Sequence, residues 1–241
     1  MQRRYTLLVD PLFYIMVAFF AALTTGLAAA LGQPRFLPIS QTAALFAFLF
    51  VALRQREIRP PLLVMAIWLG VQVITLAIVT RMVPGQVEQA ISNGFFYRGD
   101  FIGWFYGPAE TRLPMGLLSQ PVARMVELGG IVLGSLLTGG LVGVWFVVRA
   151  ANLGAYSAGV LWQDSGLLFN LFAGLPIWTL LRLAGSAGLV VLLAEPLMSG
   201  NWSLRYYVSH RRALLVTSSL LLGAGLVLEL LLPNLWRNLF A

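Results

Sequence analysis

LLVMAIWLGVQVITLAIVT, residues 62–80, contains no charged side chain. Coiled as an α-helix at about 1.5 Å per residue it is about 28 Å long, close to the ~30 Å of a bilayer's hydrocarbon core. No water-soluble domain needs such a stretch. The rest of the chain repeats the signal: hydrophobic residues make up 59% of the 241 and charged ones only 10%, where a soluble domain carries about 25%. Lipid is the medium in which that composition is stable, provided that each helix satisfies its own backbone.

Working outward from 62–80, apolar helices are expected at residues 12–31, 38–53, 122–148, 166–193 and 213–232, with a short apolar stretch at 150–162. Asp10-Pro11 starts the first of them: the carboxylate can accept from free N–H groups, and proline suits the first turn. Arg3 and Arg4 followed by an apolar run resemble a leader, but the run is longer than a leader's core, and an uncleaved first helix is expected. The expected fold is an all-α, polytopic transmembrane helix bundle of six to seven membrane segments, one integral membrane domain over 1–241. Within it, 1–82 is a three-helix part, 83–120 an extracytoplasmic interfacial connection and 121–241 a second helical part. The connection interleaves Phe95, Phe96, Tyr97, Phe101, Trp104, Phe105 and Tyr106 with glycines, and such rings favour the headgroup zone.

All sixteen basic side chains are Arg, against nine acids, for a formal charge of +7. Their distribution orients the chain, because cytoplasmic connections are rich in Arg. If 150–162 crosses, nine Arg fall inside (3, 4, 54, 56, 59, 149, 205, 211 and 212), six fall outside (35, 81, 98, 112, 124 and 237), and Arg182 lies within a helix. This favours seven segments in a cell inner (cytoplasmic) membrane with the amino terminus cytoplasmic. Arg54, Arg56 and Arg59, in the clearest loop, are the expected contact for a cytoplasmic partner. No soluble basic module is present, which excludes a nucleic-acid role.

Small residues four apart let helix backbones approach closely. Gly130 and Gly134, Gly139 and Gly143, and Ala184 and Gly188 fit that spacing, on two expected helices. They suit packing within the bundle, against a second copy or against other membrane subunits. Glu127, Arg182, Glu195 and Glu229 are the charges at membrane depth, each costly in lipid unless partnered. Judged by depth along 166–193, Arg182 is closer to Glu195 than to either other glutamate.

Catalytic and cofactor signals are scarce. With no Cys and a single His, His210, neither thiolate chemistry nor paired imidazole ligation is available. Gly-x-Ser-x-Gly, His-Glu-x-x-His and phosphate-loop patterns are missing. No enzyme activity and no cofactor are expected. The expectation is a non-catalytic scaffold or accessory subunit of a larger membrane complex. The alternatives are the permease subunit of an ABC-type export transporter with a separate ATPase, and a subunit holding pigments or quinones.

Several motifs of the second half occur in a recognisable order. A glycine-rich stretch over 130–143 is followed by Asn152-Leu153-Gly154-Ala155, then Ala184-Gly185-Ser186-Ala187-Gly188-Leu189, Arg211-Arg212, and Glu229 with Pro233. From about 126 to 233 this order resembles the stage II sporulation protein M family of membrane proteins. The resemblance covers under half the chain. It implies a non-enzymatic scaffold that recruits cell-wall remodelling or transporter components. The Pro-His-Gly that such proteins often carry before the Ala-Gly pattern has no match around 172–177, and three helices precede the shared region where one is usual.

Overall fold

A computed structural model describes residues 10–54, 57–108, 111–165, 169–200, 202 and 209–240. Among them there is no strand. Helices are α1 (Pro11–Ala30), α2 (Phe36–Leu53), α3 (Arg59–Met82), α4 (Pro84–Ala90), α5 (Gly94–Tyr106), α6 (Pro121–Thr138), α7 (Leu141–Ser165), α8 (Phe169–Ala173), α9 (Ile177–Ser199), α10 (Arg212–Leu231) and α11 (Pro233–Phe240). Seven of these, α1, α2, α3, α6, α7, α9 and α10, are long and apolar enough to cross a membrane. The protein is an all-α, multi-pass membrane bundle.

Local chemistry sets the helix ends. Asp10 Oδ1 accepts from Leu12 N at 2.9 Å with Pro11 in the first turn. Prolines also open α3, α4, α6 and α11, where a missing N–H costs nothing.

Two expected boundaries are corrected. The helix anticipated over 122–148 is a hairpin: Gly139 (φ +62°) and Gly140 (φ +97°) are consecutive left-handed residues that end α6 and reverse the chain into α7. Residues 150–162, anticipated as a separate short stretch, are the second half of α7. The count of seven stands, with different members. The helix anticipated over 166–193 begins instead at Ile177, because Pro176 is extended (ψ 152°) and cannot continue a helix from Gly174. Residues 166–168 of that span lie outside the described residues.

Spans alternate between two faces. Gly139–Gly140, the end of α2 and the start of α3 mark the turn side; α4 and α5 mark the other, the α5 side. The centre is α3 packed parallel to α7, where Gly159 leaves room for Thr80. Tying α1, α2, α3 and α7 together is a buried amide network. Gln41 Nε2 donates to Thr25 Oγ1 (2.8 Å) and to Asn152 Oδ1 (3.1 Å), and Asn152 Nδ2 donates back to Gln41 Oε1 (2.7 Å). Gln72 Nε2 donates to Asn152 Oδ1 (2.8 Å) and to the Val148 carbonyl (3.0 Å), while Trp68 Nε1 donates to Gln72 Oε1. In hydrocarbon each of these groups unpaired would cost several kcal/mol, on the order of a lost amide hydration shell.

The aromatic connection divides by face. Phe95 and Phe96 point outward, 72% and 71% exposed, while Phe101, Trp104 and Phe105 form a buried cluster with Leu161 and Ala173. Arg237 of α11 fastens this side, donating to the carbonyls of Trp104 (3.1 Å) and Pro108 (3.0 Å).

Candidate functional site: a charged cavity between the hairpin arms

The arms of the α6–α7 hairpin touch near the turn and separate toward the α5 side. Close to the turn, Gly134 accommodates Val142, Gly143 accommodates Ser135, and Gly130 accommodates the Phe146 ring. Gly130 to Gly134 forms a π-helical turn. Beyond it α6 leaves α7, and a cavity of about 320 Å³ opens between them. Ala123, Val126 and Glu127 line one wall, and Phe146, Arg149 and Leu153 the other. Arg182 of α9 and Glu229 of α10 close the back, and Trp104 of α5 lies over it.

Four charges form a connected cluster there. Glu229, 3% exposed, bridges two guanidinium groups: Oε2 accepts a short contact from Arg182 Nη1, and Oε1 accepts from Arg124 Nη2 at 3.3 Å and from Leu117 N at 2.9 Å. Arg124 also makes short contacts to Glu127 and to the Met115 carbonyl. Two cations and two anions thus balance, held partly by the backbone of residues 115–117.

Three expectations are corrected by this geometry. Arg182 pairs with Glu229, not Glu195. Starting α9 at Ile177 places Arg182 five residues from its α5-side end, level with Glu229 near the same end of α10. Glu195 instead takes a two-pronged contact from Arg211, Nη2 to Oε1 at 2.9 Å and Nε to Oε2 at 3.1 Å. Arg124, assigned by sequence to an outer connection, is buried on α6, and Arg149, assigned to a helix end, lies on the ninth residue of α7.

The small residues also sort differently. Gly130, Gly134 and Gly143 serve contacts inside the hairpin and Gly139 makes its turn. On α9, Ala184 is exposed; the close approach to α10 uses Gly185, whose added Cβ would sit 2.5 Å from Leu222 N, and Gly188 beside Ser218. Gly185 and Gly188, three apart and not four, are the small residues that face α10. Arg54 stacks over Phe50 at 4.5 Å and Arg59 opens α3, while Arg56 lies outside the described residues.

At the α5 side, Tyr97 stacks on Phe101 and its hydroxyl meets Ser157 Oγ at 2.7 Å. Burial pushes the phenol up to about 12, although the Ser157 hydrogen bond acts against that rise. It stays neutral and bonded across ordinary pH. Among the described residues there is no group of three or more His, Cys, Asp or Glu placed to hold a metal.

Sequence patterning identified Glu127, Arg182, Glu195 and Glu229 as charges needing partners. It missed Arg124 and Arg149, whose depth follows from the Gly139-Gly140 break, and the Gln41, Gln72 and Asn152 network, whose signal was three carboxamides inside apolar runs. No protein-family model, no curated protein and no solved structure matches the chain.

Proposed function

We propose that this protein is a non-catalytic scaffold or accessory subunit of a larger complex in the cytoplasmic membrane. The observation that carries it is the set of mid-span glycines that no described residue approaches. A Cβ built at Gly70 of α3 or Gly223 of α10 would meet no atom within 4 Å. Glycine inside a helix costs about 1 kcal/mol relative to alanine, and at these positions no contact from another described residue offsets it. Gly70 shares an exposed face of α3 with Ala66 and Ile74, a surface that suits close approach by another membrane helix. The acids within the spans support the same reading from another direction, since Glu127, Glu195 and Glu229 are each engaged by arginine.

Purification of the tagged full chain from its native membrane in mild detergent tests this. Other membrane subunits or a second copy are expected to co-elute, and Gly70→Leu is expected to release them. Recovery of a lone monomer, unchanged by Gly70→Leu, would overturn the proposal. A co-eluting ATPase whose turnover depends on this chain would replace it with the export-permease reading.

The resemblance to the stage II sporulation protein M family supports a scaffold, and its matched residues are distributed over α6, α7, α9, α10 and the start of α11. Asn152 to Ala155 lies inside α7.

The amino terminus is proposed to be cytoplasmic. Arg54, Arg59, Arg211 and Arg212 lie at turn-side helix ends, and the sequence adds Arg3, Arg4, Arg56 and Arg205 to the same connections. Arg35, Arg81, Arg98, Arg112 and Arg237 belong to the α5 side, a smaller share. In this Cys-free chain, Phe95→Cys is expected to react with an impermeant maleimide on intact cells and Ser209→Cys only after permeabilisation. The opposite pattern reverses the orientation.

A further inference from the structure

The cavity's charges do not balance. Arg124, Arg182, Glu127 and Glu229 cancel within their cluster, while Arg149 adds a cation with no hydrogen bond or ion pair among the described residues. Gly130 against Phe146 and Gly134 against Val142 set a register that continues to Glu127 opposite Arg149. No ion pair forms across that gap, because the arms have separated and Glu127 is held by Arg124. Arg149 lies about 12 Å along α7 from its turn-side end, within a membrane-spanning helix, where an uncompensated guanidinium is costly. Its side chain lines the cavity and is exposed there.

We propose that this cavity binds the anionic phosphate headgroup of a membrane lipid, with Arg149 as its counter-charge. Three observations favour a phosphate carried on a lipid over one free in water. The cavity has a lateral opening between two spanning helices, where the exposed lining residues Ala123, Val126 and Arg149 belong to α6 and α7, in addition to the exposed lining residues Pro34 and Ser92 at the α5 side. The neighbouring surface of α6 is apolar, with Val122, Met125 and Val126 at 75%, 66% and 57% exposure, and offers acyl chains a continuous path. A volume of about 320 Å³ accommodates a headgroup while leaving the chains outside. Guanidinium is well matched to phosphate oxygens. The binding role adds to the scaffold reading and does not depend on it.

The test uses purified full-length protein exchanged into detergent, then given phosphatidylglycerol or phosphatidylcholine, with retained lipid counted by native mass spectrometry. The wild type is expected to retain a single phosphatidylglycerol in preference to phosphatidylcholine. Arg149→Gln should lower that retention about tenfold, as expected for loss of one charge-assisted contact, and Arg149→Lys should keep most of it. Val126→Trp, which fills the cavity and leaves the charge, should lower it equally; this variant keeps the test decisive if Arg149→Gln does not fold. Equal retention of both lipids, or phosphatidylglycerol binding indifferent to Arg149→Gln and Val126→Trp, overturns the proposal. Displacement of the lipid by soluble glycerol phosphate overturns its membrane source and assigns the site to a free anion.

Discussion

Glu229→Gln is expected to cost this protein about 3–5 kcal/mol, the usual penalty for stripping one partner from a buried charge pair, and to remove most folded material from the membrane. Glu229 is the ion-pair partner of Arg182 among the described residues, and its side chain is 1% exposed. Without it, Arg182 remains charged in a low-dielectric interior, and Leu117 N and Arg124 lose an acceptor. Arg182→Gln is milder, because Glu229 still faces Arg124. The two changes combined are therefore expected to be more stable than Glu229→Gln alone, the non-additivity of directly coupled groups. Thermal unfolding in detergent, followed by size-exclusion chromatography, measures all three. A Glu229→Gln protein melting with the parent would show that the cluster contributes nothing to the fold.

At the α9–α10 crossing the expected effect is nearly as large. A side chain at Gly185 meets backbone: Leu222 N at 2.5 Å and the Ser218 carbonyl oxygen at 2.7 Å from the Cβ position. Backbone does not rotate away, so the helices must part. Gly185→Leu is expected to destabilise by about 3 kcal/mol, the upper part of the usual overpacking range, and even Gly185→Ala should be harmful. Gly188→Leu is expected to cost less, because the atom it meets first is the Ser218 hydroxyl, which can turn. Equal melting of Gly185→Ala and the parent would refute the close crossing. Ala184, exposed on the same helix, should accept leucine with little change.

Much of this architecture is legible in the sequence, and the exceptions share a cause. Where twenty apolar residues end in a proline or a capped aspartate, as at Asp10-Pro11, hydropathy and local chemistry agree on the boundary. Hydropathy averages across a tight turn when both flanks are apolar, so Gly139-Gly140 vanished inside one long helix and Pro176 inside another. Those two slips then displaced every depth measured from them. On those depths Arg182 pairs with Glu195, Arg149 closes a helix and Arg124 falls in an outer connection. The need of Glu127 and Glu229 for partners was readable from charge alone. The identity of those partners required the true helix ends. Gln41, Gln72 and Asn152 carry no charge and so escaped a search built on ionisable groups, though three carboxamides in apolar runs cost hydrocarbon nearly as dearly.

That carboxamide network also has a history within each molecule's synthesis. Gln72 waits for Asn152, which follows 80 positions later. At ribosomal speeds of about 5–20 residues per second the interval is roughly 4–16 s, during which the nascent third helix has only nearby polar groups to turn toward. Its final rotational setting is therefore a late event, fixed when α7 arrives, and the amino-terminal helices, which pack on one another through Val17, Leu45 and Val64, gain their polar lock only then.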